Sequence, residues 1–166
     1  MSIITHAEQR VGVFIDVENL YHSAKNLFKA RVNFRQLLKD VVGSRKLVRA
    51  IAYVIRTEGG EEKTFFDALL RLGIETKIKD LQVYGDFKKA DWDVGIAVDT
   101  IKISPLLDVV IILSGDGDFL PLVDYLKNLG KQVEVASFVK STSGKLKESV
   151  DHFFDLGSSN KYLYKK

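Results

Sequence analysis

The chain has 166 residues and 46% of them are hydrophobic, which fits one domain that buries its own core. Cysteine is absent, so disulfides and thiolate metal sites are excluded, and a formal net charge of +3 permits an anionic partner without identifying one. The N-terminal residues lack a secretory signal and no apolar run reaches membrane-spanning length, so we expect a cytoplasmic protein.

Short apolar strands alternate with amphipathic helices along the chain. The patterns predict strands at residues 11–15, 46–55, 74–79, 107–113 and 133–138. They predict helices at residues 18–30, 34–42, 61–72, 93–103 and 119–129, with a short helix or turn at 146–154. Residues 80–93 are expected to form an irregular, partly basic connection.

This alternation is typical of βαβ units and predicts an α/β fold. We expect a single three-layer domain over residues 1–166, in which a parallel-stranded central sheet is flanked by helices, as in Rossmann-like proteins. Its core would cover about residues 11–156, and a polar basic tail would follow at 157–166. The run at residues 109–113 is continuously apolar, as in a strand buried on both faces.

Carboxylates occur where these strands end or helices begin. Asp16 closes the first strand in "FIDVEN", Asp91 and Asp93 open a helix in "KKADWDVGIAVD", and Asp116 and Asp118 follow the apolar strand in "SGDGD". The carboxyl ends of neighbouring parallel strands face one crevice, which is where α/β sheets bind ligands. If the first strand and the strand at 107–113 are neighbours, their carboxylates would share one site.

Helix capping is an alternative interpretation of these residues. Asp16, Asp91 and Asp118 are all suitable N-caps, because a carboxylate accepts hydrogen bonds from free N–H groups of a first helical turn. Proline is tolerated only in the first turn, so Pro121 moves the predicted N-cap to residue 117 or 118 and leaves Asp116 within the turn.

Two further side chains have a structural and a functional interpretation. Asp99 lies beside apolar residues and is better explained by a salt bridge to Lys88 or Lys102 than by a role in the site. Trp92 could stack on a nucleic-acid base, but a tryptophan at a helix start more often covers the core.

Several aspartates without cysteine or paired histidines suit hard cations that prefer oxygen ligands, above all Mg²⁺ or Mn²⁺. His6, His22 and His152 have no ligand spacing, and we assign them to the surface. Carboxylate-bound Mg²⁺ commonly meets substrate phosphates, so phosphodiester hydrolysis is the reaction class that this pattern favours.

The motifs "FIDVEN", "KKADWDVGIAVD" and "LSGDGDF", in this order, resemble the NYN family of PIN-like domains, including its LabA-like branch. The resemblance runs from about residue 11 to residue 156. It implies a PIN-like parallel sheet and a metal-dependent ribonuclease-type site acting on single-stranded or structured RNA. The aromatic residues of the tail are compatible with a homodimer.

The resemblance also implies individual roles. Asp16, Asp93 and Asp116 would be catalytic metal ligands, and Asp118 would bind the metal directly or through water. The cofactor implied is Mg²⁺ or Mn²⁺.

Three more residues are expected to lie around the substrate. Asn19 and Ser114 would hydrogen-bond the scissile phosphate or orient a carboxylate, and Lys89 would contact phosphate or be simply solvated. The basic connection at residues 77–89 is expected to form the rim that faces the substrate. Glu18 stands where the family often has a small residue, so it would crowd the acidic cleft or add to its charge.

Two other kinds of acidic site fit the sequence less well. A haloacid-dehalogenase-type phosphatase needs a second aspartate two residues after the first, where this chain has Glu18, and a toprim-like site needs glutamate in place of Asp16. The alternative function is a catalytically inactive PIN-like module that binds RNA, a nucleotide or a regulatory protein partner.

Overall fold

The computed structural model describes residues 5–57, 59, 62–85, 87–89 and 91–165. The described residues form ten strands: β1 (Arg10–Asp16), β2 (Ala30–Val32), β3 (Lys46–Arg56), β4 (Glu75–Asp80), β5 (Gln82–Tyr84), β6 (Phe87–Lys89), β7 (Val109–Leu113), β8 (Gln132–Ser137), β9 (His152–Asp155) and β10 (Leu163–Lys165). They also form six α-helices: α1 (Val17–Phe28), α2 (Phe34–Val42), α3 (Lys63–Arg71), α4 (Asp93–Ile103), α5 (Leu120–Asn128) and α6 (Gly144–Ser149).

Six of the strands make one parallel sheet in the order β4-β3-β1-β7-β8-β9. From β1 the chain winds outwards to β3 and β4, then returns to β7 and winds the other way. β1 and β7 therefore flank the point where the strand order reverses, with Ile15 opposite Leu113. The two strands are therefore neighbours, as a site shared by their carboxylates requires, and such a reversal opens a crevice at the carboxyl ends of the strands.

Side chains that alternate along β1 separate two core layers. Val13 and Ile15 pack with residues of α1, α2 and α3 on one face of the sheet. Phe14 packs with residues of α4, α5 and α6 on the other face. All five residues of β7 are buried, because helices cover this strand on both sides. The three-layer α/β prediction is confirmed.

Two helices have the bounds that the sequence predicts, residues 34–42 and 93–103. α2 starts at the N-cap Asn33, whose Oδ1 accepts a hydrogen bond from Gln36 N at 3.2 Å, and it ends at Gly43 with positive φ. None of the described helices has the length and apolar character needed to cross a membrane.

Four segments differ from the prediction. The segment after α1 contains the short strand β2, where the patterns predict the end of a helix and no strand. The connection at residues 80–93 contains the hairpin β5–β6, and the segment 146–154 contains β9, the edge strand of the main sheet, after α6 has ended at Ser149. The tail contributes β10, which pairs antiparallel with β2. Strands of three or four residues are too short for an alternating pattern to show in sequence.

The packed core also extends past residue 156. Tyr162 and Leu163 are buried against α1 and α2, and the Tyr162 hydroxyl donates to Asp40 Oδ2 at 2.6 Å. Part of the predicted tail therefore belongs to the core.

Candidate metal centre

The ends of β1 and β7 are joined by side chains at the point where the strand order reverses. Ser114, the residue after β7, is fully buried, and its Oγ donates to Asp16 Oδ2 at 2.9 Å. The same Oγ accepts from the Asp116 N–H at 3.2 Å. One serine hydroxyl therefore orients the Asp16 carboxylate and holds the start of the turn that carries Asp116.

A second link runs from α1 to the same turn. Asp16 Oδ1 caps α1 by accepting from Asn19 N at 3.4 Å. The Asn19 side chain in turn accepts from the Gly115 N–H at 3.0 Å. Asp16 thus caps the helix, as the capping interpretation predicts, while Ser114 holds its second carboxylate oxygen at the end of the sheet. Its role as a metal ligand stays a prediction.

Three carboxylates converge beside this junction. One carboxylate oxygen from each of Asp93, Asp116 and Asp118 lies within 4.8 Å of the other two. Asp93 is the first residue of α4, and its N–H donates to Asp91 Oδ1 at 3.1 Å. We call these three residues the acidic triad; the structure brings together three of the four predicted ligands, and Asp16 lies next to the triad but not within it.

Asp116 also caps the 3-10 turn that leads into α5. Its Oδ1 accepts from the Asp118 N–H at 2.9 Å, which corrects the predicted N-cap at residue 117 or 118. The misplacement arises because Pro121 lies in the first turn of α5, while a separate 3-10 turn, Gly117–Phe119, precedes that helix. Asp118 does not cap α5, and it is exposed to solvent.

Like charges and burial perturb two of the four carboxyls. Burial raises the pKa of Asp16 to about 6 against the opposing hydrogen bonds from Ser114 and Asn19. Burial, followed by the charges of Asp116 and Asp16, raises the pKa of Asp93 to about 7. Deprotonating this site without a counter-ion is therefore unfavourable.

The donor set fits a hard divalent cation. Carboxylate oxygens are the ligands that Mg²⁺ and Mn²⁺ prefer, and a cation would offset the burial and the repulsion that together raise the pKa of Asp93. The carboxylates of Asp93, Asp116 and Asp118 are close enough together to hold one ion between them.

We expect Mn²⁺ to raise the melting temperature more at pH 8 than at pH 5.5. Protons must leave Asp16 and Asp93 before the carboxylates can bind an ion, so acid competes with metal. Differential scanning fluorimetry with and without Mn²⁺ at the two pH values measures this difference. An equal rise at both would show that these two carboxyls do not bind the ion.

A cleft of about 470 Å³ opens from the acidic residues along α1. Its lining includes Asp16, Asp93 and Asp116 at one end and polar side chains of α1 along its length, namely Glu18, Asn19, His22, Ser23 and Asn26. Ser141 closes the cleft from the loop after β8, and its Oγ donates to Ser23 Oγ at 2.9 Å.

The sequence analysis assigned His22 to the surface and did not predict that it lines this cleft. Its Nε2 lies 3.3 Å from Glu18 Oε2, one helical turn earlier, so the unusual Glu18 has a basic partner beside the acidic site. A signal was present, because Asn19, His22 and Asn26 recur at helical spacing after Asp16 and must share a face of α1.

Other predicted residues have structural partners. Trp92 lines the cleft, but its Nε1 donates to Val54 O at 2.9 Å, its ring packs on Tyr53, and Lys79 Nζ lies 4.4 Å from its ring centroid. Asp99 does form a salt bridge, but with Lys77 at 2.6 Å and not with Lys102. The side chain of Lys88, the other predicted partner, lies outside the described residues.

These contacts bear on the predicted basic rim at residues 77–89. Lys77 is paired with Asp99, and Lys79 Nζ donates to Asp91 O at 2.9 Å, so both serve the packing around α4. Lys89 belongs to β6, and its side chain lies outside the described part of the structure. Its contact with phosphate stays a prediction.

The loop of residues 141–143 packs tightly against the turn that carries the triad. A Cβ on Gly115 would lie 2.8 Å from both Ser141 O and Thr142 Oγ1. A backbone oxygen cannot yield as a flexible side chain can, so only glycine fits at this position.

We expect Gly115→Ala to lower the melting temperature by several degrees and to weaken metal binding, because overpacking costs about 1–3 kcal/mol and shifts Asp116. Gly144→Ala is the matched control, since a Cβ there would meet no atom within 4 Å. Thermal melts of the two proteins test this. Equal melting temperatures would show that the turn tolerates the extra methyl group.

Comparison with known proteins gives the chain a family. The profile of the NYN domain matches residues 10–157. The chain belongs to the NYN domain family. That family lies within the PIN-like nuclease superfamily, and the acidic triad fits a nuclease.

Two proteins show how far this likeness extends. The Low amplitude and bright protein LabA of Synechococcus elongatus is 24% identical over 168 residues, which cover 94% of this chain and 88% of LabA. A crystal structure of VPA0982 from Vibrio parahaemolyticus, described as a protein of unknown function, is 29% identical and superposes with a TM-score of 0.87. That match covers 98% of this NYN chain and 100% of VPA0982.

Proposed function

We propose that this NYN protein is a divalent-metal-dependent endoribonuclease that hydrolyses RNA phosphodiester bonds. The observation that carries the proposal is the convergence of Asp93, Asp116 and Asp118 at the end of a polar cleft, where the strand order reverses. The choice of RNA over DNA, and of a cytoplasmic location, rests on the family and on the sequence.

In this proposal the ligands to Mg²⁺ or Mn²⁺ are Asp16, Asp93, Asp116 and Asp118. A bound cation supplies Lewis-acid stabilisation of the charge that builds on the phosphate oxygens during hydrolysis. Ser114 acts as a positioning residue, because its hydroxyl fixes the Asp16 carboxylate while its Oγ accepts the Asp116 N–H.

The polar face of α1 would bind the RNA backbone. Asn26 offers hydrogen bonds along the cleft, and His22 offers a cationic donor when protonated. Asn19 would act indirectly, since its side-chain oxygen is already committed to the Gly115 N–H. Lys89 is a further proposed phosphate contact.

The test is cleavage of a labelled single-stranded RNA in Mn²⁺, in Mg²⁺ and in EDTA. Wild type is compared with Asp16→Asn and Asp116→Asn, and with Asp124→Asn, which changes an exposed aspartate on α5 away from the triad. We expect cleavage in either metal by wild type and Asp124→Asn alone.

Equal cleavage by all four proteins would indicate a contaminating nuclease. Metal binding without cleavage by any of them would overturn the enzymatic proposal in favour of an RNA-binding or regulatory module.

A further inference from the structure

A second groove lies on the other side of the acidic triad, between α4 and α5. Its volume is about 400 Å³, and two members of the triad, Asp93 and Asp118, line it. Val94, Ala97 and Ile101 line it from α4, and Pro121, Leu122 and Tyr125 line it from α5. The triad therefore separates a polar cleft from an apolar groove.

Apolar side chains of this groove are left in solvent. Val94 is 74% exposed and Tyr125 is 48% exposed, although both side chains would gain free energy from burial. Apart from Asp93 and Asp118, the only polar side-chain group among the described residues that line the groove is the Tyr125 hydroxyl, so the groove is not suited to bind a phosphate chain. Its chemistry suits an uncharged, flat and largely apolar group.

We propose that this groove binds the base of a nucleotide next to the scissile phosphate, with Tyr125 as the stacking surface. The inference rests on the proposed function. If the scissile phosphate binds at the triad, the two nucleotides that it joins lie on opposite sides of the triad. The polar cleft would take the backbone on one side and the apolar groove the base on the other. Aromatic side chains stack with any base, so this subsite adds affinity with little sequence preference.

The carboxylates at the border favour a nucleotide over a second copy of this chain. A protein partner that covered the groove with apolar side chains would remove water from Asp93 and Asp118 without offering them a counter-charge. A nucleotide that reaches the triad together with a divalent cation neutralises those carboxylates while its base fills the groove. The groove volume also falls within the roughly 300–1,000 Å³ of typical ligand pockets.

The test is binding of a fluorescein-labelled single-stranded RNA, measured by anisotropy in Ca²⁺ to limit cleavage. The same RNA backbone with abasic residues serves as the second probe. We expect Tyr125→Ala to bind the normal RNA about tenfold more weakly and Tyr125→Phe to bind it as wild type does, because phenylalanine keeps the ring. With the abasic probe, Tyr125→Ala and wild type should bind equally.

Leu129→Ala is the matched control, because Leu129 is 49% exposed just after α5 but does not line the groove. Equal binding of normal RNA by wild type and Tyr125→Ala would overturn the subsite even if the protein cleaves RNA. A tenfold loss that needs the bases would support it even if no cleavage is found, so the two proposals fail separately. A wild-type dimer that Tyr125→Ala converts to monomers would instead show that the groove joins two copies of the chain.

Discussion

An Asp93→Asn protein is expected to lose metal-dependent RNA cleavage by at least about a hundredfold, as when one preorganised electrostatic group is removed from an active site. Asp93 is the member of the triad that α4 contributes, whereas Asp116 and Asp118 both come from the turn after β7. Without it, both remaining carboxylates of the triad come from a single turn.

The same substitution should stabilise the metal-free protein at pH 8. Because the pKa of Asp93 is raised from 3.8 to about 7, the folded protein holds a proton that the unfolded chain releases between these values. Stability due to this group is therefore highest below pH 4 and is lost as the pH rises towards 7. Asparagine carries no charge, so it avoids that loss.

Thermal melts in EDTA at pH 4 and pH 8, beside Asp124→Asn, measure the effect. We expect Asp93→Asn to melt about 2–4 °C above wild type at pH 8 and at the same temperature at pH 4. The expected rise in melting temperature is small because Asp93 is only half-buried, so solvent screens its interaction with the neighbouring carboxylates. A lower melting temperature at pH 8 would show that its carboxylate is not under repulsion.

Of the substitutions proposed here, Arg45→Met is expected to lower the free energy of unfolding most, by about 3–5 kcal/mol. The Arg45 guanidinium forms two hydrogen bonds to Glu134 of β8, at 2.7 and 3.1 Å, and both side chains are only 5% exposed. It also donates to Val41 O and Val42 O at the end of α2. Methionine leaves the Glu134 carboxylate buried without a counter-charge.

Denaturant melts of three variants separate this effect from general damage. Arg10→Met breaks a similar fork with Asp108, but at 49% and 40% side-chain exposure that pair contributes little, so we expect a small change. The double variant Arg45→Met with Glu134→Leu should recover most of the loss, because the unpaired charge is gone. An Arg45→Met protein as stable as wild type would refute the account.

The sequence predicts most of the fold because each large element carries a complete local signal. α2 has a capping asparagine, an amphipathic body and a terminal glycine, and α4 ends at Ser104-Pro105. The failures are the three- and four-residue strands β2, β5, β6, β9 and β10. Their formation depends on a partner strand or a covered sheet edge, neither of which leaves a periodic pattern.

For the candidate site, the sequence predicts which residues lie close together but not which contacts each side chain makes. The order of the motifs anticipates that Asp16, Asp93 and Asp116 approach one another. Whether a side chain caps a helix, orients another side chain or faces solvent depends on differences of less than 1 Å in atomic position. Asp16 illustrates this, because one of its oxygens caps α1 and the other accepts a hydrogen bond from Ser114. The apolar groove could not be foreseen, because it arises from the spacing between α4 and α5 instead of from either helix.

The hydrogen bond between Ser114 and Asp16 has a consequence for the time at which the protein can act, because it joins residues 98 positions apart. Ribosomes add roughly 5–20 residues per second, so about 5–20 s separate the synthesis of the two partners. At the start of that interval the nascent chain carries only Asp16 of the proposed ligands, and Asp93 follows before Ser114 is made. The strand β7 and the turn with Asp116 and Asp118 come last, so the site is incomplete throughout. Under the proposed function, we therefore expect the chain to be unable to cleave its own message until the residues up to Asp118 have been made.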